Sequence, residues 1–452
     1  MYSKIGLKQG CLASPILFLF FIDELEKTFK AKNMKGIQLH PDTIQLCLLM
    51  FADDLALMAD TIAELQRQLN VLSDFCYTYK LKVNENKTKV VVFKNGAVLS
   101  KHERWHYRNT KLEAINKFCY LGLIFTRQMS MNAMVHELCV KGKRALVSIL
   151  KSLYDHGQLS KSVFFTIFDV KIAPILLYGS ELWGMGNYIE LERAQYYACK
   201  RFMCAKQTAS NMAILGDCAR FPMYIMSLKR CVKYWLNIIR MPESRFVRKC
   251  YNMMLKDDAD GYANWVTGVR SCLERNGFGI VWQNQMVASE SMFLRQFVNR
   301  LEDCFLQDWN SNIITNHKLS FYSHYKTEFN FEKYLEVLDI RKFRFTYTNF
   351  RIGSHDLEIE RGRYRKIPRE NRICRLCNSN TIEDEYHFLL CCDFYNDIRA
   401  SHIPRKYYTL PNIHKFYILM SSKNENIIRT TATYLLHAFK RRQQTIVHYQ
   451  NN

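Results

Sequence analysis

The sequence predicts an α+β domain, then a long helical region and a small cysteine-rich motif. The first 125 residues or so contain apolar segments in the order helix, two strands, helix, two strands, which is typical of helices on one face of an antiparallel sheet. From about residue 130 to about 345 the apolar and aromatic residues recur at helical spacing. Cysteines then gather between residues 374 and 392. We therefore expect three domains, at 1–128, 129–345 and 346–452.

The N-terminal elements follow from local signals. The first helix should run from about Pro15 to Lys30, with Ser14 as its cap and Pro15 in its first turn. Two short strands should flank a His-Pro-Asp turn at 40–42. Apolar residues at helical spacing predict an amphipathic helix from Thr61 to Tyr79. Further strands are predicted at Val90–Phe93 and Lys117–Phe125.

The middle region should be mainly helical. Its clearest predicted helices are Val135–Tyr154, Lys161–Tyr178, Ile189–Met203 and Met223–Arg240. The segment 345–370 is charged and poor in apolar residues, and we expect a domain boundary there.

Composition indicates the class of partner. Lys and Arg number 64 against 42 Asp and Glu, a formal charge of +22 that attracts polyanions, with nucleic acid ahead of an anionic membrane surface. The 16 cysteines are scattered through a lysine-rich chain and indicate a reducing compartment. The longest apolar run, Ile16–Ile22, is too short to span a bilayer. We expect a nuclear and cytoplasmic protein without a membrane segment.

Two adjacent aspartates, Asp53 and Asp54, interrupt the apolar segment 46–60, "LCLLMFADDLALMAD". Like charges in a region of low dielectric repel each other, so a pair at the tip of a buried hairpin needs a positive charge to offset it. Mg²⁺ is held by one or two carboxylates together with substrate phosphates, which is the arrangement of nucleotidyl transfer. The alternative is a simple turn whose aspartates cap the following helix.

Four short motifs carry a family resemblance. "FADD" (51–54) resembles the aromatic-x-Asp-Asp box of reverse transcriptases, and "GLKQGCLASPILF" (6–18) resembles the preceding box of the non-LTR retrotransposon branch. "LKVNENKTKVVVF" (81–93) is similar to the Asn-x-x-Lys-Thr box, and "FCYLGLIF" (118–125) to the Tyr-Leu-Gly box. The order of the boxes is that of the family. Similarity to thumb and post-thumb segments of LINE-type elements continues at 173–184, 191–203 and 216–223.

The resemblance assigns roles in a partial palm domain followed by a helical thumb. It implies that Asp53 is a catalytic carboxylate binding Mg²⁺ or Mn²⁺, that Asp54 is its partner, and that Phe51, a nucleotide-site residue, packs behind them. The other implied contacts are Gln9 and Gly10 with nucleotide and template, Lys87 with nucleotide phosphates, and Tyr120, Leu121 and Gly122 with the primer end. In the alternative interpretation, Lys87 is a solvated loop lysine and the last two residues form a plain turn.

One part of the family's catalytic site is not found in this sequence. The two-metal mechanism needs a third carboxylate, which the family carries upstream of the Gln-Gly box, and here five residues precede Gly6. Asp23 and Glu24 lie on a predicted helix, which cannot replace the strand concerned. We therefore expect a C-terminal fragment of a polymerase that does not synthesise DNA by itself.

The cysteine-rich motif predicts a metal centre. Cys374 and Cys377 form a Cys-x2-Cys pair, followed by His387 and by Cys391 and Cys392, a set that suits a closed structural Zn²⁺ site. Helical spacing from His387 favours Cys391 as the fourth ligand, whereas resemblance to the Cys-Cys-His-Cys motif of non-LTR elements selects Cys392. The alternative is four ordinary cysteines.

Basic segments surround this motif. The basic and aromatic flanks at 365–375 and 403–408 suit contacts with nucleic acid, and "FKRRQQ" (439–444) is predicted to be a solvated basic tail.

Two functions of different classes remain open. The first is an RNA-directed DNA polymerase of a LINE-type element, which would use dNTP, an RNA template and a DNA primer at a nicked target. The second is a non-catalytic remnant that binds RNA or DNA through the thumb and the zinc motif. A host-adopted protein with a new partner has no support in the sequence.

Overall fold

The computed structural model describes residues 10–40, 44–94, 103–154 and 159–451. The chain forms two compact units, the first within Met1–Met134 and Met241–Val266, the second within Val135–Arg240 and Thr267–Asn452. The division into three domains stays a prediction. Among the described residues, no helix combines the length and apolar character needed to cross a membrane.

The first 134 residues contain two helices and short strands, in the predicted order of helix, hairpin, helix and further strands. Their bounds are α1 Ser14–Ala31, β1 Ile37–His40, β2 Ile44–Leu46, β3 Leu48–Phe51, β4 Asp54–Leu57, α2 Ile62–Thr78, β5 Lys89–Val90, β6 His106–Tyr107, β7 Thr110–Lys111, β8 Glu113–Ala114, β9 Lys117–Tyr120 and β10 Leu123–Thr126.

The strands form separate pairs instead of the expected single antiparallel sheet. In the described residues there are five two-stranded pairs: β1–β2, β3–β4, β6–β7 and β9–β10 are antiparallel, and β5–β8 is parallel. Strands of two to four residues offer few ladder hydrogen bonds. The core is therefore built chiefly on helices: Leu25 and Phe29 of α1 and Leu72 and Phe75 of α2 are buried together with Trp105.

Helix ends and strand bounds differ from the predictions in detail. Ala13, not Ser14, precedes α1, and no side chain caps that end. The strand predicted at Val90–Phe93 is reduced to β5, and Lys117–Phe125 is a hairpin, because Leu121 and Gly122 form a turn with positive φ. Residues 41 and 42 of the His-Pro-Asp turn lie outside the described part of the chain.

The rest of the chain is helical. The helices are α3 Met131–Tyr154, α4 Lys161–Ile167, α5 Ala173–Leu176, α6 Ser180–Trp183, α7 Ile189–Met203, α8 Asn211–Cys218, α9 Met223–Ile239, α10 Phe246–Ala259, α11 Trp265–Arg275, α12 Gly279–Asn284, α13 Glu290–Thr315, α14 Tyr322–Tyr325, α15 Tyr334–Val337, α16 Arg341–Arg351, α17 Glu358–Tyr364, α18 Asn396–His402, α19 Arg405–Tyr408, α20 Ile413–Met420 and α21 Glu425–Asn451. Short π-helical segments lie at Phe168–Ile172 and His387–Cys391, and 3₁₀ turns at His317–Leu319, Arg369–Asn371 and Asp393–Tyr395.

The helix predictions are largely confirmed. The predicted helix Ile189–Met203 matches α7 at both ends, and α3 and α9 differ from their predictions by at most four residues at one end. The predicted helix at 161–178 is interrupted by the π-helical segment, whose wider turn separates α4 from α5.

The charged segment around 345–370 contributes to the interior of the second unit. Arg351 on α16 is 2% exposed, and its guanidinium lies 3.4 Å from Asp217 and 3.0 Å from Glu332. Asp217 also accepts hydrogen bonds from the Tyr322 and Tyr334 hydroxyls, at 2.8 and 3.0 Å. Burial raises the pKa of Asp217, and the charge of Arg351 opposes that rise. Pairing therefore compensates part of the cost of burying these charges.

Gly216 allows this charged cluster to be closely packed. A Cβ atom at this position would come within 2.8 Å of the Trp309 ring and 2.9 Å of the Tyr322 hydroxyl. Both contacts are shorter than real Cβ contacts, so a larger residue would push apart the side chains beside Asp217.

Candidate functional site

The aspartate pair lies at an exposed turn of the β3–β4 hairpin. Phe51 pairs with Asp54, so Ala52 and Asp53 form a two-residue turn, and Ala52 adopts a φ of 53°. The side chains of Asp53 and Asp54 are exposed, so the buried carboxylate pair expected from the apolar sequence is not found. Water and ligands can therefore reach both carboxylates.

Phe51 does not pack behind the pair as expected. Side chains alternate along a strand, and in β3 it is Leu48 and Met50 that pack against the core of the first unit. Phe51 points the other way and is 63% exposed. It is thus a solvent-facing aromatic ring beside Asp54.

The two aspartates do not cap helix α2, as the alternative interpretation required. Thr61 occupies the cap position, and its side-chain oxygen accepts a hydrogen bond from the Glu64 N–H at 3.2 Å. Within the described ranges, no third His, Cys, Asp or Glu joins the pair to form a metal-binding group. Asp23 and Glu24 instead contact Lys27 on the surface of α1, at 3.5 and 3.1 Å.

The predicted nucleotide contacts lie on loops. Gln9 is outside the described residues, whereas Gly10 is exposed with a φ of 85°, a conformation that favours glycine. Lys87 is exposed in a turn that Asn84 organises, because the Lys87 N–H donates to the Asn84 carbonyl at 3.1 Å and the Thr88 hydroxyl donates to it at 3.0 Å. The Asn-x-x-Lys-Thr motif is thus a compact turn with a solvent-facing lysine.

The Tyr-Leu-Gly motif forms the turn of the β9–β10 hairpin. Tyr120 pairs with Leu123, and Leu121 and Gly122 have φ values of 48° and 81°. Burial raises the pKa of Tyr120, and the negative charge of Asp54 raises it further. Tyr120 in this hairpin therefore lies within electrostatic range of Asp54.

A second candidate site is the cysteine-rich motif of the second unit. The ligand atoms of Cys374, Cys377, His387 and Cys392 all lie within 4.8 Å of one another. The sulfurs of Cys374 and Cys392 are 4.0 Å apart, and that of Cys377 is 3.4 Å from His387 Nε2. Tetrahedral Zn²⁺ with bonds of about 2.3 Å holds its ligands roughly 3.8 Å apart, so these four residues could hold zinc.

Backbone geometry brings Cys392, and not Cys391, to the cluster. His387 begins the π-helical segment, in which the Cys392 N–H donates to the His387 carbonyl at 2.8 Å, five residues back. The segment is wider than an α-helix, so the spacing that favoured Cys391 does not apply. Burial raises the pKa of Cys391, whose thiol hydrogen bonds to Tyr386 and lies outside the cluster.

Residues around the cluster hold the ligands in place. Thr381 Oγ1 lies 3.0 Å from His387 Nδ1, and the His387 N–H donates to Asp384 at 2.8 Å. A hydrogen bond with the Cys392 thiol lowers the pKa of Cys374 to about 3, and the same bond raises the pKa of Cys392. Metal binding at this cluster would require deprotonated cysteine ligands, so it would release protons.

Arg399 and Arg442 are supporting residues that the sequence did not reveal. Arg399 is buried and donates to the Leu389 and Cys392 carbonyls at 2.9 and 2.8 Å. Arg442 on α21 is 4% exposed and binds both carboxylate oxygens of Glu383, at 2.8 and 2.6 Å. The prediction that "FKRRQQ" is a solvated tail is therefore wrong for Arg442, whereas Lys440, Gln443 and Gln444 are exposed. Helical spacing from the buried Leu435 and Ala438 was the signal that could have placed Arg442 on the inner face.

Comparison with protein families identifies the N-terminal segment. Residues 1–125, just over a quarter of the chain, match the family described as reverse transcriptase (RNA-dependent DNA polymerase). The match includes the Asp53–Asp54 hairpin and most of the β9–β10 hairpin. It supports a reverse transcriptase, a family that generally uses divalent metal ions and acts on template, primer and dNTP.

Proposed function

We propose that the chain derives from the polymerase of a non-LTR, LINE-type retrotransposon and that Asp53 and Asp54 occupy the position of its catalytic carboxylates. The observation that supports this most is the exposed aspartate pair inside the matched segment, with Asp54 within electrostatic range of Tyr120. A divalent cation there, Mg²⁺ or Mn²⁺, would neutralise charge on a transferring phosphoryl group.

Other residues of the first unit have proposed roles around this position. Lys87 faces the nucleotide phosphates, and the backbone of Gly10, with Gln9 beside it, permits close approach of nucleotide and template. The turn at Leu121 and Gly122, with Tyr120, holds the primer end. The proposed partners are an RNA template, a DNA primer and dNTP, encountered in the nucleus and the cytoplasm.

We propose that polymerisation by this chain is below detection and that nucleic-acid binding is its remaining activity. In the described residues the aspartates have no third carboxylate with which to hold two cations. A formal charge of +22 still favours binding of RNA or DNA. The zinc cluster would support this function by stabilising the second unit.

A primer-extension assay distinguishes an active polymerase from a non-catalytic nucleic-acid-binding protein. We expect no incorporation of labelled dNTP on an RNA template with a DNA primer by the purified chain, by Asp53→Ala, or by Asp23→Ala, which removes an exposed acid of α1. All three should bind template–primer equally, since catalysis alone depends on Asp53. Extension by wild type and Asp23→Ala but not by Asp53→Ala would show that the chain is an active polymerase. Failure of all three to bind at low salt would refute both functions.

A further inference from the structure

A groove runs between helices α16 and α21 in the second unit, with a volume of about 1010 Å³. We call it the α16–α21 groove and define it by Arg341, Lys342, Phe345, Arg361, Phe439 and Lys440. Of these positions, Phe439 and Lys440 belong to the basic segment at 439–444.

The groove is strongly basic. Six of its fifteen lining residues are Lys or Arg, and Asp356 is its single carboxylate. Asp356 pairs with Lys206 at 2.8 Å, and Arg442 is held by Glu383 at 2.6 Å. Among the described residues, the remaining four, Arg341, Lys342, Arg361 and Lys440, form no ion pair with a carboxylate. Their uncompensated charge attracts anions, and several phosphates in a row would match it.

The groove also presents aromatic and aliphatic surface between these charges. Phe345 is 42% exposed, whereas Tyr347 and Phe350 on the same helix are buried. On α21, Leu436, Phe439 and Ile446 add half-buried apolar surface at helical spacing. Proteins that bind single-stranded nucleic acid combine exposed aromatic rings with phosphate-binding cations, because each unpaired base can stack on a ring.

We propose that the α16–α21 groove binds single-stranded nucleic acid. The phosphates of the bound strand contact Arg341, Lys342, Arg361 and Lys440, and one unpaired base of the strand stacks on Phe345. The proposal rests on the proposed nucleic-acid function and specifies where and in what form the strand is bound. A duplex offers its phosphates but not its base faces, so it engages the cations and not Phe345.

The test measures binding of a fluorescent oligouridylate to the full-length chain by anisotropy over a range of salt concentrations. Replacing both Arg341 and Lys440 by Gln should weaken binding about tenfold and reduce the slope of log affinity against log salt by about 1.4. The matched control, Lys27→Gln with Lys30→Gln, removes two exposed charges of α1 and should change neither quantity. Phe345→Ala should weaken binding about tenfold, whereas Phe345→Tyr, which keeps a ring, should not.

Each contrary result has a distinct meaning. If the groove variants bind like the α1 control, the proposal fails while the nucleic-acid function stands. If wild type binds no oligonucleotide at low salt, that function fails as well. If polyglutamate displaces the oligonucleotide at equal charge concentration and Phe345→Ala has no effect, the groove accepts an acidic polypeptide instead. Circular dichroism of each variant shows that the fold is retained.

Discussion

Glu192 on α7 shows how a single half-buried carboxylate couples stability to pH. Its oxygens accept hydrogen bonds from the Met223 and Tyr224 N–H groups at 3.0 and 2.8 Å, at the start of α9. Burial raises the pKa of Glu192 from 4.5 to about 7, and these hydrogen bonds only partly oppose the rise. Between those pH values the folded chain binds more protons than the unfolded chain, so folding is weakened as pH increases.

A stability measurement across this pH range tests the coupling. We expect the unfolding free energy of wild type, relative to Glu192→Gln, to fall by roughly 3 kcal/mol between pH 4.5 and 7, since Gln does not ionise. Urea denaturation at several pH values measures the unfolding free energy of both proteins. Glu336→Gln, at an exposed position of α15, should follow wild type. The expectation would be contradicted if the difference in unfolding free energy between wild type and Glu192→Gln were the same at every pH.

At the scale of elements, the cysteine motif combines a strand-like bridge with a π-helical segment. Ile373 pairs with Ile382, and the Cys374 N–H donates to the Thr381 carbonyl at 2.9 Å, which positions the first two cysteines. The π-helical segment from His387 positions the other two ligands. Neither element is long enough to be stable alone, so a metal ion would bind them together.

Zinc content distinguishes the two candidate fourth ligands. We expect about one zinc ion per chain in wild type and in Cys391→Ser, but strongly reduced zinc in Cys377→Ser and Cys392→Ser, because three ligands hold the ion less tightly than four. Atomic emission on purified protein measures the content. Removal of zinc by a chelator should lower the melting temperature of wild type and Cys391→Ser, but not that of Cys377→Ser or Cys392→Ser. Equal zinc in wild type and Cys377→Ser would rule the site out.

Most of the elements could be predicted, because a helix with one buried face repeats its apolar residues every three or four positions. Leu69, Leu72 and Phe75 show this pattern in α2. Buried charges leave no such signal: Arg351 and Arg442 look like surface residues until their partners Asp217 and Glu383 are located in space. Likewise, the exposure of Asp53 depends on where a turn falls, and the choice of Cys392 depends on a π-helical segment that sequence spacing does not reveal.

At the scale of the molecule, the ion cluster at Arg351 connects distant parts of the second unit. The Arg351 side chain on α16 contacts Asp217 on α8 and Glu332 before α15, and donates to the Met420 carbonyl of α20 at 2.7 Å. Removing its charge would leave two carboxylates buried, with Lys326 as the other nearby cation at 2.6 Å from Glu332.

Replacing this arginine should therefore destabilise the second unit as a whole. We expect Arg351→Ala to lower the unfolding free energy by about 3–5 kcal/mol, because breaking a buried pair leaves charge uncompensated. Arg300→Ala, at an exposed position on α13, should change it by less than about 0.5 kcal/mol. Urea denaturation monitored by tryptophan fluorescence gives both values. Equal effects of the two substitutions would show that the ion cluster at Arg351 contributes little to the unfolding free energy.

The contact between Arg442 and Glu383 has a wider consequence. One helix, α21, is bound to the loop that carries the metal ligands and also forms a wall of the α16–α21 groove. Two binding equilibria are thermodynamically linked when both ligands favour the same state of a shared element, and such linkage is reciprocal. We propose that α21 is that element, so that oxidation of the cysteine thiols weakens the affinity of the groove for a nucleic-acid strand. Conversely, a bound strand would raise the affinity of the cysteine cluster for zinc by the same factor.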